Sequence, residues 1–130
     1  MPTHELIPEE ILIGVIKLGN FKEFTAPTSL LHKIIYDLKK NPDFSNVLES
    51  FRFSGSPVAP FSDVLDGAIF NLQYGNKLKR SNPDLIEYKV SENIDSYFAK
   101  QVSTKLTEQD IIILTQIAKS IEGILPNVTH

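Results

Sequence analysis

Helix-breaking residues divide this chain into short periodic segments, and the order of those segments constrains the fold more than any other feature. The 130 residues include eight prolines and six glycines, which stand mainly where an apolar periodicity stops. Apolar side chains that recur at intervals of three and four residues indicate amphipathic helices. On this pattern helices are predicted over residues 8–18, 28–40, 62–74, 91–102 and 107–123.

The starts of these helices carry their own signals. Pro8 precedes two glutamates, which is typical of a first helical turn because proline needs no donor there and the acids face the positive end of the dipole. Thr28 or Ser29 is expected to cap the second helix, and Ser62 the third. Thr107, with an acid three residues later, predicts a capping box before the last helix.

Two stretches predict β-structure. Residues 49–54 alternate aromatic and polar side chains, the pattern of a half-buried strand. Residues 77–90 predict a β-hairpin, because turn-forming residues at 81–84 separate two short arms. Residues 21–27 are interpreted as a connector and residues 55–60 as a turn-rich loop.

The predicted order is helix, helix, strand, helix, hairpin, helix, helix. Three helices followed by a hairpin are the winged-helix layout, so we expect a mostly helical α+β fold with a tri-helical core and a β-hairpin wing. Residues 8–90 would supply the core and wing, and residues 91–125 two extra C-terminal helices. No stretch has a linker composition, so residues 1–130 are interpreted as one domain.

Two segments carry a resemblance to a known group. These are Leu-Leu-His-Lys-Ile-Ile-Tyr at 30–36 and Phe-Arg-Phe-Ser-Gly-Ser-Pro-Val-Ala-Pro-Phe-Ser at 51–62. Over roughly residues 8–90 the chain resembles small winged-helix-like proteins related to the Panacea antitoxin domain and the YwgA group. The resemblance implies an interaction or regulatory role, antitoxin-like, and no active site.

Charge bears most directly on function. With 13 basic and 16 acidic residues the formal charge is −3, and residues 53–76 contain no lysine or arginine. In a winged helix the 62–74 helix would take the DNA-recognition position, yet Asp63 and Asp66 lie in its first half and would oppose phosphates. Asn71 and Gln73 are residue types that can read bases, but nothing basic nearby would hold the helix in a groove.

The wing is the one basic cluster in the sequence. Lys77, Lys79 and Arg80 lie on its first arm and Lys89 on its second. These residues could contact a nucleic-acid backbone, or they could protect an edge strand from pairing with other chains. The protective interpretation is preferred, and both stay open on the sequence alone.

Apolar residues outside the main helical stripes mark a possible partner surface. Phe70 and Tyr74 lie off the core-facing stripe of the third helix, and the last helix is apolar on more than one side. A protein partner, or a second copy in a homodimer through the C-terminal helices, would supply the missing cover. The predicted interface residues are Phe70, Tyr74, Ile112, Ile113 and Ile117.

Reactive chemistry has little support. No catalytic, cofactor-binding or metal-binding set is predicted, and the absence of cysteine removes thiol nucleophiles and thiolate metal sites. His4, His32 and His130 are far apart, and His32, between apolar positions of the second helix, is expected at the boundary between its buried and exposed sides rather than as a ligand. The N-terminus has no signal-peptide pattern and the apolar runs are too short to span a membrane, so a cytoplasmic location is expected.

The sequence therefore predicts a non-enzymatic regulatory or protein-interaction module of winged-helix type. The alternative is a DNA-binding transcriptional regulator that contacts DNA through the wing at 77–90 and the helix at 62–74.

Overall fold

The computed structural model describes residues 6–81, 87–125 and 127–130. It is an α+β structure, mostly helical, as predicted. The helices are α1 (Pro8–Leu18), α2 (Thr28–Lys39), α3 (Pro42–Ser45), α4 (Asp63–Tyr74), α5 (Asn93–Tyr97) and α6 (Glu108–Glu122). The chain continues from α5 through a π-helical turn and a 3₁₀ turn at Phe98–Val102 and Ser103–Lys105. The strands are β1 (Glu23–Thr25), β2 (Ser54–Ser56), β3 (Ala59–Phe61), β4 (Leu78–Ser81) and β5 (Glu87–Val90).

The larger sheet joins distant parts of the chain. β4 and β5 form the predicted antiparallel hairpin, and β1 pairs with the other edge of β5, so the strand order is β1-β5-β4. Tyr88 of β5 lies opposite both Phe24 and Arg80 on the inner face. The C-terminal tail extends this sheet, because Thr129 bonds through its backbone to Lys22 and to β1. The turn predicted at 81–84 falls largely outside the described residues.

Helix α1 lies at the centre of the core. It packs against α4 on one side and α6 on another, and Ile13 is fully buried between its neighbours. Gly14 permits the close approach of α6, because a Cβ built there would lie 2.9 Å from Cδ1 of Leu114. One cluster of buried apolar side chains includes residues from every helix and from the larger sheet. The C-terminal helix therefore covers the back of the core.

The helix boundaries confirm most of the local signals. Ser62 caps α4 by accepting a hydrogen bond from the Leu65 amide, and the predicted capping box of Thr107 begins α6. Pro8 is the first residue of α1. The predicted cap of α2 is wrong: Pro27 holds that position without a side-chain acceptor, and Thr28 is already helical.

The strand predictions before α4 need correction. The segment 21–27 contains β1, and only the last residue of the predicted strand 49–54 is in a strand. Residues 49 and 50 lie in a turn and residues 51–53 in no regular element, so the alternation reflects only that Phe51 is buried and Phe53 half-buried. The predicted loop at 55–60 is the turn and flanks of a β2–β3 hairpin, in which Gly55 adopts a φ of +84°. A side chain is disfavoured in that conformation.

Candidate functional site

Helix α4, which the sequence predicts as the recognition helix, is held by a buried polar contact at its start. Ser62 is fully buried, and its hydroxyl accepts the Leu65 N–H at 3.1 Å. Its own N–H donates to Nδ1 of His32 at 3.0 Å. Past this cap, a stripe of buried residues faces the core, which turns the opposite side of α4 outward. The buried stripe consists of Leu65, Ala68, Ile69 and Leu72.

His32 is a core residue, not the boundary residue that the sequence predicts. Only 1% of it is exposed, and its ring stacks on Phe61 with centroids 4.5 Å apart. Because Nδ1 accepts the Ser62 N–H, the neutral ring carries its hydrogen on Nε2. That nitrogen faces the Asp66 carboxylate at 3.8 Å, beyond hydrogen-bond distance. Burial lowers the pKa of His32 below its ordinary 6.5, and the Asp66 charge opposes this shift.

The outward side of α4 combines carboxylates with aromatic rings. We call Asp63, Asp66, Phe70 and Tyr74 the α4 face. Phe70 is 62% exposed and Tyr74 is 84% exposed, and their rings stack with centroids 6.3 Å apart. Asp63 and Asp66 are also exposed, and within the described parts of the chain no lysine or arginine forms an ion pair with either. The α4 face is thus acidic at its start and aromatic at its end.

The two amide side chains that are candidates for reading bases have no basic patch around them among the described residues. Nδ2 of Asn71 donates to the carboxylate of Glu9 on α1 at 2.6 Å. Gln73 is half-buried. Lys77 shares a shallow pocket with Asn71, but the same pocket contains Glu9. The amide of Asn71 is therefore used within the chain, beside an acid.

The β4–β5 hairpin is the segment predicted as a wing, and we call it the wing. Its basic residues contact other residues of the fold. The ammonium of Lys77 lies over the Tyr97 ring, 4.6 Å from its centroid. Nη1 of Arg80 donates to the Tyr88 hydroxyl at 3.1 Å. Lys89 lies 3.8 Å from the carboxylate of Glu23 on β1. These contacts let the cations support the sheet and the start of the C-terminal region.

Lys79 is the wing cation that differs. It is exposed on the outer face of the sheet and lies directly opposite Lys89 in the register of β4 and β5. Like charges placed opposite each other across a strand pair repel. A bound anion would reduce the repulsion between these two ammonium groups.

The predicted interface on α6 divides into buried and exposed parts. Ile117 is fully buried with Leu114 and Ala118 against the core, so its inclusion in a partner surface is wrong. Its helical phase places it on the side that packs on α1. Ile113 is half-buried, and Ile112 is 51% exposed. Two exposed isoleucines that were not predicted for the interface are Ile111 and Ile124.

Two cavities among the described residues bear on whether the fold could hold a small ligand. An apolar cavity of about 70 Å³ lies among core residues that include Ile35 and Leu65, well below the roughly 300 Å³ at which ligand pockets begin. A cleft of about 320 Å³ separates the start of α2 from the β2–β3 hairpin, and no charged side chain lines it. Among the described residues no group of three or more His, Asp or Glu side chains could hold a metal ion.

Comparison with protein-family models, with curated proteins and with solved structures finds no match. Within the described residues, no helix has the length and apolarity needed to cross a membrane.

Proposed function

We propose that this chain is a non-enzymatic regulatory or protein-interaction module of winged-helix type, and that it binds a protein through the α4 face. The observation that carries the proposal is the combination of two exposed aromatic rings with two carboxylates on the outward side of α4. Exposed aromatic residues are the side chains that most often anchor protein interfaces.

The order of elements supports the winged-helix assignment. α1, α2 and α4 are followed by the β4–β5 hairpin, with α3 and the β2–β3 hairpin inserted between α2 and α4. β1 lies between α1 and α2 and pairs beside the second strand of the wing. Under this assignment α4 holds the recognition position, and its outward side is the surface available to a macromolecule.

Electrostatics favour a protein over DNA as the partner. A helix in the major groove lies between two phosphate backbones, and cations supply much of the affinity. Asp63 and Asp66 would face those phosphates, while Lys77 and Arg80 already contact tyrosines of the same chain. Binding DNA would require these cations to leave their contacts.

The Lys79–Lys89 pair favours a second candidate, a DNA-binding regulator that uses its wing. We expect this activity to be weak. An anisotropy titration with random-sequence duplex at low salt tests it, using a Lys77/Lys79/Arg80 triple alanine variant as comparison. Micromolar binding with a steep salt dependence that the triple variant loses would favour DNA.

An affinity purification from the native cells tests the protein-binding proposal. We expect a protein to be retained by the wild-type chain, to resist nuclease, and to be lost from the F70A/Y74A variant. The matched control is I112A/I124A, which removes two exposed apolar side chains elsewhere. A partner that binds both variants equally would contradict the proposal.

A second copy of the chain is one possible protein partner. Light scattering on the purified protein tests self-association through α6. A mass of twice 14.6 kDa that falls to the monomer in I112A/I124A would assign a homodimer to the C-terminal helices. If the wild type and I112A/I124A are both monomers, the partner is a different protein.

A further inference from the structure

We propose, on the basis of the function proposed above, that the partner segment bound by the α4 face is cationic and presents arginine side chains. One set of arginines would pair with Asp63 and Asp66, and another would stack on Phe70 and Tyr74. Three features of the α4 face favour such a partner: the spacing of its four residues, the charge of the two aspartates, and the absence of a cation over the aromatic pair among the described residues.

The spacing places all four residues along one side of the helix. They follow one another at intervals of three, four and four residues. Such intervals keep side chains on one helical face, and at 1.5 Å per residue the face is about 16 Å long. A partner helix of about eleven residues, or a shorter extended segment, could therefore contact the carboxylates and the rings at once.

No lysine or arginine of the described residues neutralises the charges of the two aspartates. Asp66 has His32 as its nearest basic group, and burial keeps that imidazole neutral near pH 7 by lowering its pKa. Asp63 has no basic partner among the residues that the structure describes. A wholly apolar partner would remove water from these carboxylates and supply nothing in return, which is unfavourable.

Among the residues that the structure describes, the aromatic pair lacks a contact that the other tyrosines have. Tyr36, Tyr88 and Tyr97 each have a lysine or arginine over the ring, at centroid distances of 4.5, 5.7 and 4.6 Å. Within the described residues, Tyr74 is the tyrosine without one, although it is 84% exposed and stacked on Phe70. An incoming cation would complete the same interaction there.

Arginine fits both halves of the surface better than lysine does. Its planar guanidinium can form paired hydrogen bonds with a carboxylate and can also lie flat on an aromatic ring. Lysine offers a strongly hydrated point charge without a flat surface. We therefore expect arginine to be preferred.

A selection from displayed random peptides tests the proposal. The library members should be about twelve residues long, to span the α4 face as a helix. The bait is the full chain at physiological salt, and enriched peptides are then measured by fluorescence anisotropy. We expect enrichment of arginine over lysine, and of both over acidic residues.

Four variants separate the contributions. D63N/D66N should lower the affinity for the enriched peptides about tenfold, which corresponds to about 1.4 kcal/mol of binding free energy. F70A/Y74A should lower this affinity by the same factor or more. E49Q/E92Q makes the same change in net charge at exposed acids away from α4, and I112A/I124A removes exposed apolar surface on the C-terminal side. Both controls should bind as the wild type does. The substituted residues are exposed, so thermal unfolding should show all four variants folded.

Three results would overturn the inference, and they differ in what they say about the proposed function. Peptides without basic residues that bind through Phe70 and Tyr74, and ignore D63N/D66N, would refute a cationic partner while keeping the α4 face as a binding surface. Peptides insensitive to every α4 variant, or no enrichment at all, would refute both. Basic peptides weakened equally by E49Q/E92Q would show general charge attraction and would also refute the inference.

Discussion

The α4 face and the wing both combine charged with aromatic side chains, acidic on α4 and basic on the wing, and they differ in where those residues find partners. On the wing, Lys77 and Arg80 contact tyrosines and Lys89 lies near Glu23, all within the chain. On the α4 face, the carboxylates and rings extend into solvent, although His32 and Ser62 hold the helix firmly from beneath. Charged and aromatic residues thus stabilise the fold in one region and remain available in the other.

The largest expected effect comes from removing the support beneath α4. His32→Ala would leave the buried Ser62 N–H without an acceptor and open a cavity beside Phe61. We expect the free energy of unfolding to fall by about 3 kcal/mol, measured by urea denaturation. The control is His130→Ala, an exposed terminal histidine, which should change it by less than about 0.5 kcal/mol. Equal effects would contradict the role given to His32.

His32 also predicts how the unfolding free energy of the protein depends on pH. Because burial lowers the pKa of folded His32 below 6.5, the unfolded chain binds the proton first as the pH falls. The stability that neutral His32 contributes is therefore present above about pH 6.5 and is lost as the pH drops below it. Over that range the free energy of unfolding should fall by at most about 1.4 kcal/mol per pH unit. Urea denaturation between neutral and mildly acidic pH would measure this slope.

The comparison for the pH experiment is His32→Gln, which cannot titrate. Its stability should vary less with pH in this range than that of the wild type. A wild-type profile that matches the variant would show that His32 is not responsible.

A smaller effect is expected where the wing cations stabilise the fold. Arg80→Ala removes the hydrogen bond to the Tyr88 hydroxyl and the packing of the arginine over that ring. We expect a loss of about 1 kcal/mol in unfolding free energy. Lys79→Ala, on the adjacent exposed position, should be nearly neutral. If neither substitution changes the free energy of unfolding, the wing cations do not stabilise the fold and do not differ from the α4 face in that respect.

The smallest expected effect has the opposite sign. Lys79→Glu would replace the repulsion between Lys79 and Lys89 with attraction. We expect a gain of about 0.3 kcal/mol that shrinks as salt is added, measured by thermal unfolding at two ionic strengths. A loss of stability at low salt would mean that the two ammonium groups do not interact across the strands.

Helix positions were the most predictable part of the fold. The predicted ranges 8–18, 62–74 and 107–123 agree with α1, α4 and α6 to within about a residue, because apolar periodicity and capping residues act over one or two turns. The predicted N-cap of α2 is wrong because Pro27, which holds that position, has no side-chain acceptor that would mark the start of the helix in the sequence.

Short strands and buried polar residues were less predictable. β1 has three residues, of which only Phe24 is buried, and its partner β5 lies more than sixty positions later, so no local pattern marks it. His32 interrupts an apolar run, and the sequence does not show that Ser62, thirty positions away, would donate to it. For Ile117, the helix pattern shows two apolar sides but not which of them α1 would cover.

The sequence alone determined the helices of this protein, the acidic start of α4 and the absence of lysine and arginine over residues 53–76. These properties belong to single residues or to neighbours within a few turns. Only the tertiary structure decided that Lys77 lies over Tyr97 and that Tyr74 carries no cation among the described residues. Contacts of that kind join segments far apart in the chain, and packing of the whole core, not local periodicity, places such segments together.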